Sequence, residues 1–267
     1  KRGLAQSIYQ VGGNSGQALA PLISAFLILP FGMYGASFVL ILTAIGIFML
    51  TKIAIWYRKQ LEEEKLSKVK KVLVSSLPPL TKKQVGIALS LLLVIIFARS
   101  FYVTNITNFY VFYLIQEYGL TIEKGQLLIF LFMAFGVVGT FFGGSLSDRI
   151  GRKNVILLSV VVPIPLCLAL PYVPLWLVVI LLIVIGSLIM ISFSVTVVYA
   201  QELVPTKIGT MAGLTVGLAF GMGAIGSVLI GILMDKIGIE TTMMIISALP
   251  ILMLVALALP RDQVAKV

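Results

Sequence analysis

The architecture of this chain can be inferred outward from Gly143-Gly144-Ser145-Leu146-Ser147-Asp148-Arg149-Ile150-Gly151-Arg152-Lys153, called the signature segment below. This segment places three glycines and four charges between two long apolar runs. Glycine lets the backbone reverse tightly and lets neighbouring helices approach closely, because it carries no side chain. One acid and three bases at one point suit a network of ion pairs at the cytoplasmic surface of a membrane. The pattern therefore predicts a charged hinge between two membrane helices.

The composition points to a membrane protein. Of the 267 residues, 60% are hydrophobic and only 11% are charged, whereas soluble domains carry about 25% charged residues. The formal net charge of +10 could indicate a nucleic-acid partner, but the basic residues lie in short loops between apolar runs. We therefore expect the lipid bilayer as the surroundings of this chain and no nucleic-acid partner.

Eight apolar runs are each long enough for the roughly 20 residues that cross a bilayer as a helix. Helix is the expected structure, because backbone groups that face lipid must be satisfied within their own segment. The sequence therefore predicts an all-α polytopic membrane protein. The predicted spans are Leu4–Leu29, Tyr34–Tyr57, Val85–Gln116, Gln126–Leu146, Val155–Pro171, Leu175–Ala200, Ile208–Met234 and Thr241–Leu259.

The loops predict the orientation of these spans. Of the 20 basic residues, Arg99 lies within a span, Lys124 and Lys236 lie on one side, and all the others lie on the opposite side. Basic loops stay in the cytoplasm, so both termini and the signature segment are expected there, in a multi-pass protein of the cell membrane. Residues 58–84 are expected to form a cytoplasmic linker between two spans in 1–57 and six spans in 85–260, with a cytoplasmic tail at 261–267.

No enzyme is expected. The chain has no histidine and one cysteine, Cys167, so it holds neither a Ser/His/Asp set nor a Cys/His metal site. A phosphate-binding loop of the Gly-Lys-Ser type is also absent from the sequence. Any work done by this chain would then draw on an ion gradient or a solute gradient, without a cofactor.

The signature segment resembles the loop signature of the major facilitator superfamily, Gly-x-Leu-x-Asp-Arg-x-Gly-Arg-Lys. Further segments resemble drug exporters of that superfamily. The resemblance implies that the signature follows the second helix of a six-helix half. Residues 85–260 would then form a complete carboxyl-terminal half, residues 1–57 would be the last two helices of the amino-terminal half, and further amino-terminal helices are expected. The matching positions are Gly144, Leu146, Asp148, Arg149, Gly151, Arg152 and Lys153, with the further segments Gly3–Asn14, Tyr199–Pro205 and Gly217–Gly223.

The resemblance implies a secondary active transporter that exports small drug-like or toxic solutes by alternating access, driven by the proton gradient. One alternative is an uptake symporter or uniporter of a small, anionic solute on the same fold. A second alternative is an inactive fragment or a non-transporting membrane subunit.

Two sets of polar residues are candidates for a cavity. Gln10, Asn14 and Gln17 share one face of the first span, where they either line a cavity or form hydrogen bonds between helices. The third span carries Arg99, which either contacts an anionic solute or pairs with an acid in the further amino-terminal helices. Predicted neighbours on the face of Arg99 are Tyr102, Asn105 and Tyr110, whereas Thr104 and Asn108 face away and are expected to form packing hydrogen bonds.

A second site is predicted at the signature segment. Asp148, Arg149 and Arg152 could form a cytoplasmic charge lock with Glu202, which ends the sixth span. Gly144, Gly151 and Lys153 complete this gate motif. In the seventh span, Gly213, Gly217 and Gly221 recur at every fourth residue, a spacing that permits close helix packing.

Overall fold

The computed structural model describes residues 2–66 and 81–260. Every element in these ranges is helical, and eight helices are long and apolar enough to cross a bilayer. The predicted all-α architecture with eight spans is thus confirmed for the described residues. The spans are numbered in chain order: span 1, Gly3–Phe31; span 2, Ser37–Gln60; span 3, Lys83–Tyr118; span 4, Ile122–Ile150; span 5, Arg152–Tyr172; span 6, Leu175–Leu203; span 7, Pro205–Ile237; span 8, Ile239–Ala258.

Several spans contain more than one helix. Spans 1 and 3 each contain a π-helical turn, at Ser24–Ile28 and Asn105–Phe109, and span 8 continues as a 3₁₀ helix over Leu249–Ala258. Shorter 3₁₀ helices occupy Leu170–Tyr172 and Pro205–Lys207. The α-helices are α1 Arg2–Ile23, α2 Leu29–Phe31, α3 Met33–Leu66, α4 Lys82–Thr104, α5 Tyr110–Tyr118, α6 Ile122–Ile150, α7 Arg152–Val161, α8 Pro163–Ala169, α9 Leu175–Leu203, α10 Ile208–Ile237 and α11 Ile239–Ser247.

Local sequence explains where the helices next to the loops begin and end. Thr81 caps α4, and its side chain and that of Gln84 form a reciprocal capping box. Gly151 separates α6 from α7 at a φ of +96°, a conformation that favours glycine. The hinge predicted at the signature segment is therefore a single residue between two helices.

The predicted linker and tail are described only in part. Helix α3 runs without a break to Leu66, and the side chains of Arg58 and Glu62 form an exposed ion pair of 3.2 Å on it. Helix α4 begins at Lys82, so described helices extend into both ends of the predicted linker 58–84. Residues 67–80 and the predicted tail 261–267 lie outside the described residues.

Spans 3 to 8 pack into one bundle, and span 1 lies against spans 4 and 6 of that bundle. One apolar cluster in the bundle includes Ile106, Leu128 and Val178. A second cluster includes Leu92 and Val155 and adjoins the signature segment. Span 2 contacts the π-helical end of span 1, and its large apolar side chains are exposed. The described part of the chain is therefore a six-helix bundle with span 1 attached to one side.

Candidate functional site

A cavity of about 800 Å³, called the central cavity below, lies between span 1 and spans 3, 4, 6 and 7. This volume falls within the roughly 300–1,000 Å³ of typical small-molecule sites. Its walls combine apolar side chains with a few polar groups from facing helices. The polar lining includes Asn14, Gln17, Arg99, Thr104, Asn108 and Gln126.

Span 1 contributes two of its three predicted polar residues to the central cavity. Asn14 and Gln17 line it, whereas Gln10 is buried and lies elsewhere. The Nδ2 of Asn14 also donates to Oγ1 of Thr140 on span 4, at 3.0 Å. That threonine hydroxyl donates in turn to the carbonyl of Gly136, at 2.9 Å. Asn14 thus combines the two roles left open by the sequence, since it lines a cavity and joins two helices.

Arg99 lies at the wall of the central cavity and is only 3% exposed. Its Nη1 donates to Oγ of Ser192, at 3.4 Å, and its Cζ lies 4.8 Å from the centre of the Phe193 ring. A cation over an aromatic face is attracted by the ring quadrupole. Within residues 2–66 and 81–260 no carboxylate forms an ion pair with Arg99. The guanidinium therefore retains donors that could bind an anionic group.

The other predicted residues of span 3 do not reach the central cavity. Tyr102, Asn105 and Tyr110 are at most 1% exposed and face the interior of the bundle. Thr104 and Asn108, for which the sequence predicts packing hydrogen bonds on the opposite face, line the cavity. Asn108 does both, because its Nδ2 donates to Oγ of Ser227 on span 7, at 3.2 Å.

A polar pattern in span 3 could have revealed this face. The residues that line the cavity recur at three- and four-residue spacing, which is the signature of one helix face. Helical spacing predicts that Tyr102 and Tyr110 share the face of Arg99, but periodicity alone does not tell which face meets the cavity. The polar members of the observed face are Ser100, Thr104, Thr107 and Asn108.

The predicted packing glycines of span 7 lie beside open space within the described chain. A Cβ added at Gly213, Gly217 or Gly221 would meet no atom within 4 Å. The close contact between spans 3 and 7 uses other glycines: a Cβ at Gly226 would lie 3.2 Å from the ring of Phe101. The packing role of the three predicted glycines stays a prediction.

The signature segment forms a charge cluster, which consists of Asp148, Arg152 and Glu202 and is called the signature cluster below. Nη1 of Arg152 lies 3.0 Å from Oδ1 of Asp148, and Nη2 lies 3.1 Å from Oε1 of Glu202 on span 6. Arg149 is exposed and forms no ion pair with the described residues. The structure thus brings together three of the four residues of the predicted lock.

Asp148 also holds the first turn of span 1. Its two carboxylate oxygens accept hydrogen bonds from the backbone N–H groups of Gly3 and Leu4, each at 3.2 Å. Two hydrogen bonds from backbone N–H groups to one carboxylate are charge-assisted and fix the position of span 1 against span 4. The sequence offered no direct signal for this contact, because the partners are 144 and 145 residues apart.

The remaining residues of the gate motif fix the helices around the signature cluster. A Cβ at Gly144 would lie 2.1 Å from the carbonyl oxygen of Gly3, so glycine is needed where span 4 crosses span 1. The Nζ of Lys153 donates to the carbonyls of Leu257 and Leu259 at the end of span 8. Gly151 provides the positive φ between α6 and α7.

Comparison with known proteins identifies the family. The sequence profile of the Major Facilitator Superfamily matches residues 1–216. The chain is 51% identical over 265 residues to YfnC, an uncharacterized MFS-type transporter of Bacillus subtilis (strain 168). It is 40% identical over 263 residues to the fosmidomycin resistance protein of Escherichia coli (strain K12).

Each of these alignments covers 98% of this chain and 64% of the relative. The chain thus spans about two-thirds of the length of either protein, and its predicted similarity to a drug-resistance protein of the superfamily is confirmed. The family predicted from the signature segment is confirmed as well: the chain is a multi-pass membrane protein that belongs to the major facilitator superfamily, whose members are transporters of small solutes and not enzymes.

Proposed function

We propose that this chain is part of a secondary transporter that exports small drug-like or toxic solutes in exchange for protons. The observation that carries the proposal is the central cavity, which lies between span 1 and the six-helix bundle and is lined by a few polar side chains. The 40% identity to a fosmidomycin resistance protein supports drug export as the direction. The proton gradient would supply the energy, and no cofactor is required.

In this proposal the solute site lies between two halves of the carrier. Residues 1–57 are the last two helices of the amino-terminal half, and residues 85–260 are the complete carboxyl-terminal half. The packing of span 1 against spans 4 and 6 supports this division, because the central cavity opens along that contact. Solute sites between structural repeats near the middle of the bilayer are a general feature of secondary transporters.

Arg99 gives the cavity its chemical preference. A planar guanidinium can bind a carboxylate, phosphonate or phosphate group through two parallel hydrogen bonds. Ser192 and Phe193 hold Arg99 from the side of span 6. The carried solute therefore presents an anionic group to Arg99 and an apolar body to side chains such as Met133 and Met190, which also line the cavity and adapt readily to different shapes.

The signature cluster is the gate at the cytoplasmic end of the carrier. It joins span 1 to spans 4 and 6 through hydrogen bonds and ion pairs. Separation of span 1 from span 4 at this end must break both N–H bonds to Asp148. An intact cluster therefore favours the outward-facing state, and its rupture accompanies opening toward the cytoplasm during alternating access. Both termini of the chain and the cluster itself lie in the cytoplasm of a cell whose plasma membrane holds the protein.

The direction of coupling can be tested with the full-length carrier in proteoliposomes, with radiolabelled fosmidomycin as the probe. If protons leave as the probe enters, a vesicle with an acidic interior should accumulate the probe above its external concentration. Accumulation only with an alkaline interior would instead establish symport, and uptake that never exceeds equilibration would establish a uniporter. No uptake under any gradient would contradict fosmidomycin as a solute of this carrier.

A further inference from the structure

A second polar site lies inside the bundle, apart from the central cavity. It consists of Tyr102, Asn105 and Tyr110 on span 3 and is called the span 3 polar cluster below. None of the three lines the central cavity, and all are at most 1% exposed. Among the described residues, the hydroxyl of Tyr110 and Oδ1 of Asn105 have no hydrogen-bond partner, and the hydroxyl of Tyr102 has at most a weak one, the thiol of Cys167.

The cluster is bounded by spans 5 and 8. The Tyr102 hydroxyl lies beside the Cys167 thiol of span 5, close enough for a weak hydrogen bond to sulfur, and it also interacts electrostatically with Tyr110. The Nδ2 of Asn105 donates to Sδ of Met243 on span 8, at 3.3 Å, which is a weak acceptor. Asn105 lies one helical turn after Tyr102 on the same buried face. Tyr102 and Asn105 thus meet spans 5 and 8 from the same buried face of span 3.

The backbone of span 3 is irregular at the same place. Its α-helical hydrogen bonding gives way to a π-helical turn over Asn105–Phe109, and Tyr110 follows directly. The wider turn changes the angle at which later side chains leave the helix, so Tyr110 returns to the face of Tyr102. Inserted turns of this kind are common at functional sites and at places where water enters a helix.

We propose that the span 3 polar cluster binds at least one internal water molecule. An unpartnered buried polar group is costly, and native proteins pair nearly all such groups with protein or ordered water. A buried water typically makes two to four hydrogen bonds, and this cluster offers two unpartnered atoms and the weakly paired hydroxyl of Tyr102. Oδ1 of Asn105 accepts a bond from water, while each phenol can either donate or accept. The site is independent of the solute that the carrier transports.

Pulsed X-ray hydroxyl-radical labelling of the full-length carrier in detergent tests this directly, because radicals form from bound water as well as from bulk solvent. Span 8 offers a matched pair of methionines: Met243, beside Asn105, and Met253, in the apolar cluster near the signature segment, each 1% exposed. We expect Met243 to be oxidised several-fold faster than Met253. Equal, slow oxidation of the two would show that the site is dry and would overturn the proposal.

A double-mutant cycle tests whether the hydroxyls share the water. Tyr102→Phe and Tyr110→Phe should each lower the unfolding midpoint of the full-length carrier by about 2 °C, as measured by tryptophan fluorescence. The double variant should lower the midpoint by less than the sum of the two single effects, because either change releases the same water. Tyr113→Phe is the control: its hydroxyl donates directly to the carbonyl of Pro171, at 2.9 Å, so its effect should add to that of Tyr102→Phe. The proposal that the two hydroxyls bind the same water would be wrong if both single variants had a raised or unchanged midpoint, or if their effects on the midpoint were additive.

Discussion

At the scale of single residues, Arg99 restricts most strongly what the central cavity can hold. A charged side chain in the middle of a bilayer costs about 2.5–3.5 kcal/mol on insertion scales, and the ring of Phe193 offsets only part of this. Because no described carboxylate pairs with Arg99, the remainder must come from cavity water, from the solute or from a segment outside the described residues. With either of the first two sources, the guanidinium keeps donors for an anionic group, as the proposed function requires.

We predict that Arg99→Gln raises the half-saturation concentration for fosmidomycin by about 10–100-fold, the range expected for one lost hydrogen bond to a charged group. The half-saturation concentration of Arg99→Lys should lie between those of the parent and Arg99→Gln, since lysine keeps the charge but lacks the planar guanidinium that binds an anion through two hydrogen bonds. Initial rates of uptake into proteoliposomes measure this. Thr107→Val is the control: Thr107 also lines the cavity, but its hydroxyl already donates to the carbonyl of Val103, at 2.9 Å. Equal effects of Arg99→Gln and Thr107→Val would contradict the anion contact.

Gly144 is the residue on which the contact between spans 1 and 4 depends. An added methyl group would overlap the Gly3 carbonyl and the Ser7 hydroxyl, because each oxygen would lie 2.1 Å from the new methyl carbon. We expect Gly144→Ala to cost about 1–3 kcal/mol through overpacking and to lower the thermal midpoint of the full-length carrier by several degrees. Gly86→Ala, at a position with no atom within 4 Å of a Cβ, should leave the midpoint unchanged. A normal midpoint for Gly144→Ala would show that the two helices can separate without loss of stability.

At the scale of helices, the signature cluster connects four spans, 1, 4, 5 and 6, through three side chains. Asp148 contacts the backbone of span 1, and Arg152 contacts Asp148 and Glu202 at the same time. Arg152 is 6% exposed, so its pairing is less screened than that of a surface ion pair. Removal of either partner of a buried pair leaves an uncompensated charge. The three side chains should therefore respond as a unit.

We predict that Arg152→Ala and Glu202→Ala each increase the labelling of a cysteine reporter at the cytoplasmic end of the cavity, and that their effects are not additive. Either variant breaks the same connection between spans 5 and 6, so the second adds little. Arg149→Ala provides the control within the same motif, because Arg149 is exposed and forms no ion pair with the described residues. Additive effects, or an Arg149→Ala variant as strong as Arg152→Ala, would rule out the lock.

The sequence predicted helices better than it predicted which way they face. Span lengths follow from the bilayer thickness, so apolar runs and basic loops were sufficient to find all eight. Asn14, Gln17 and Arg99 line the central cavity, in keeping with the rule that polar groups in a span avoid lipid. Tyr102 and Tyr110 are buried inside the bundle, since the orientation of span 3 depends on its contacts with other spans; the roles of all five residues stay predictions. The contact between Asp148 and Gly3 is likewise tertiary and leaves no local pattern.

At the scale of the whole molecule, the described helices leave apolar and small-residue surfaces uncovered. Phe48 and Trp56 of span 2 are 65% and 61% exposed. On span 1, Gly12 and Gly16 have no neighbour within 4 Å of an added Cβ, and the same is true of Gly217 on span 7. Lipid can cover large apolar side chains, but it gains nothing from a row of glycines. A row of glycines in a span instead favours the close approach of another helix.

The chain spans 64% of the length of its relatives, and we propose that further helices of the full-length carrier cover the glycine faces. Substitutions of increasing size at Gly217 of the full-length carrier test this. The effect of an added side chain on stability depends on whether a helix, lipid or water lies beside the glycine. If a helix packs there, Gly217→Ala should lower the thermal midpoint by a few degrees and Gly217→Leu by considerably more. If lipid or water covers the face, neither variant should lower the midpoint, since alanine and leucine are better helix formers than glycine. A flat or rising series would therefore assign the glycine face of span 7 to the bilayer and remove the helix-packing role predicted for Gly213, Gly217 and Gly221.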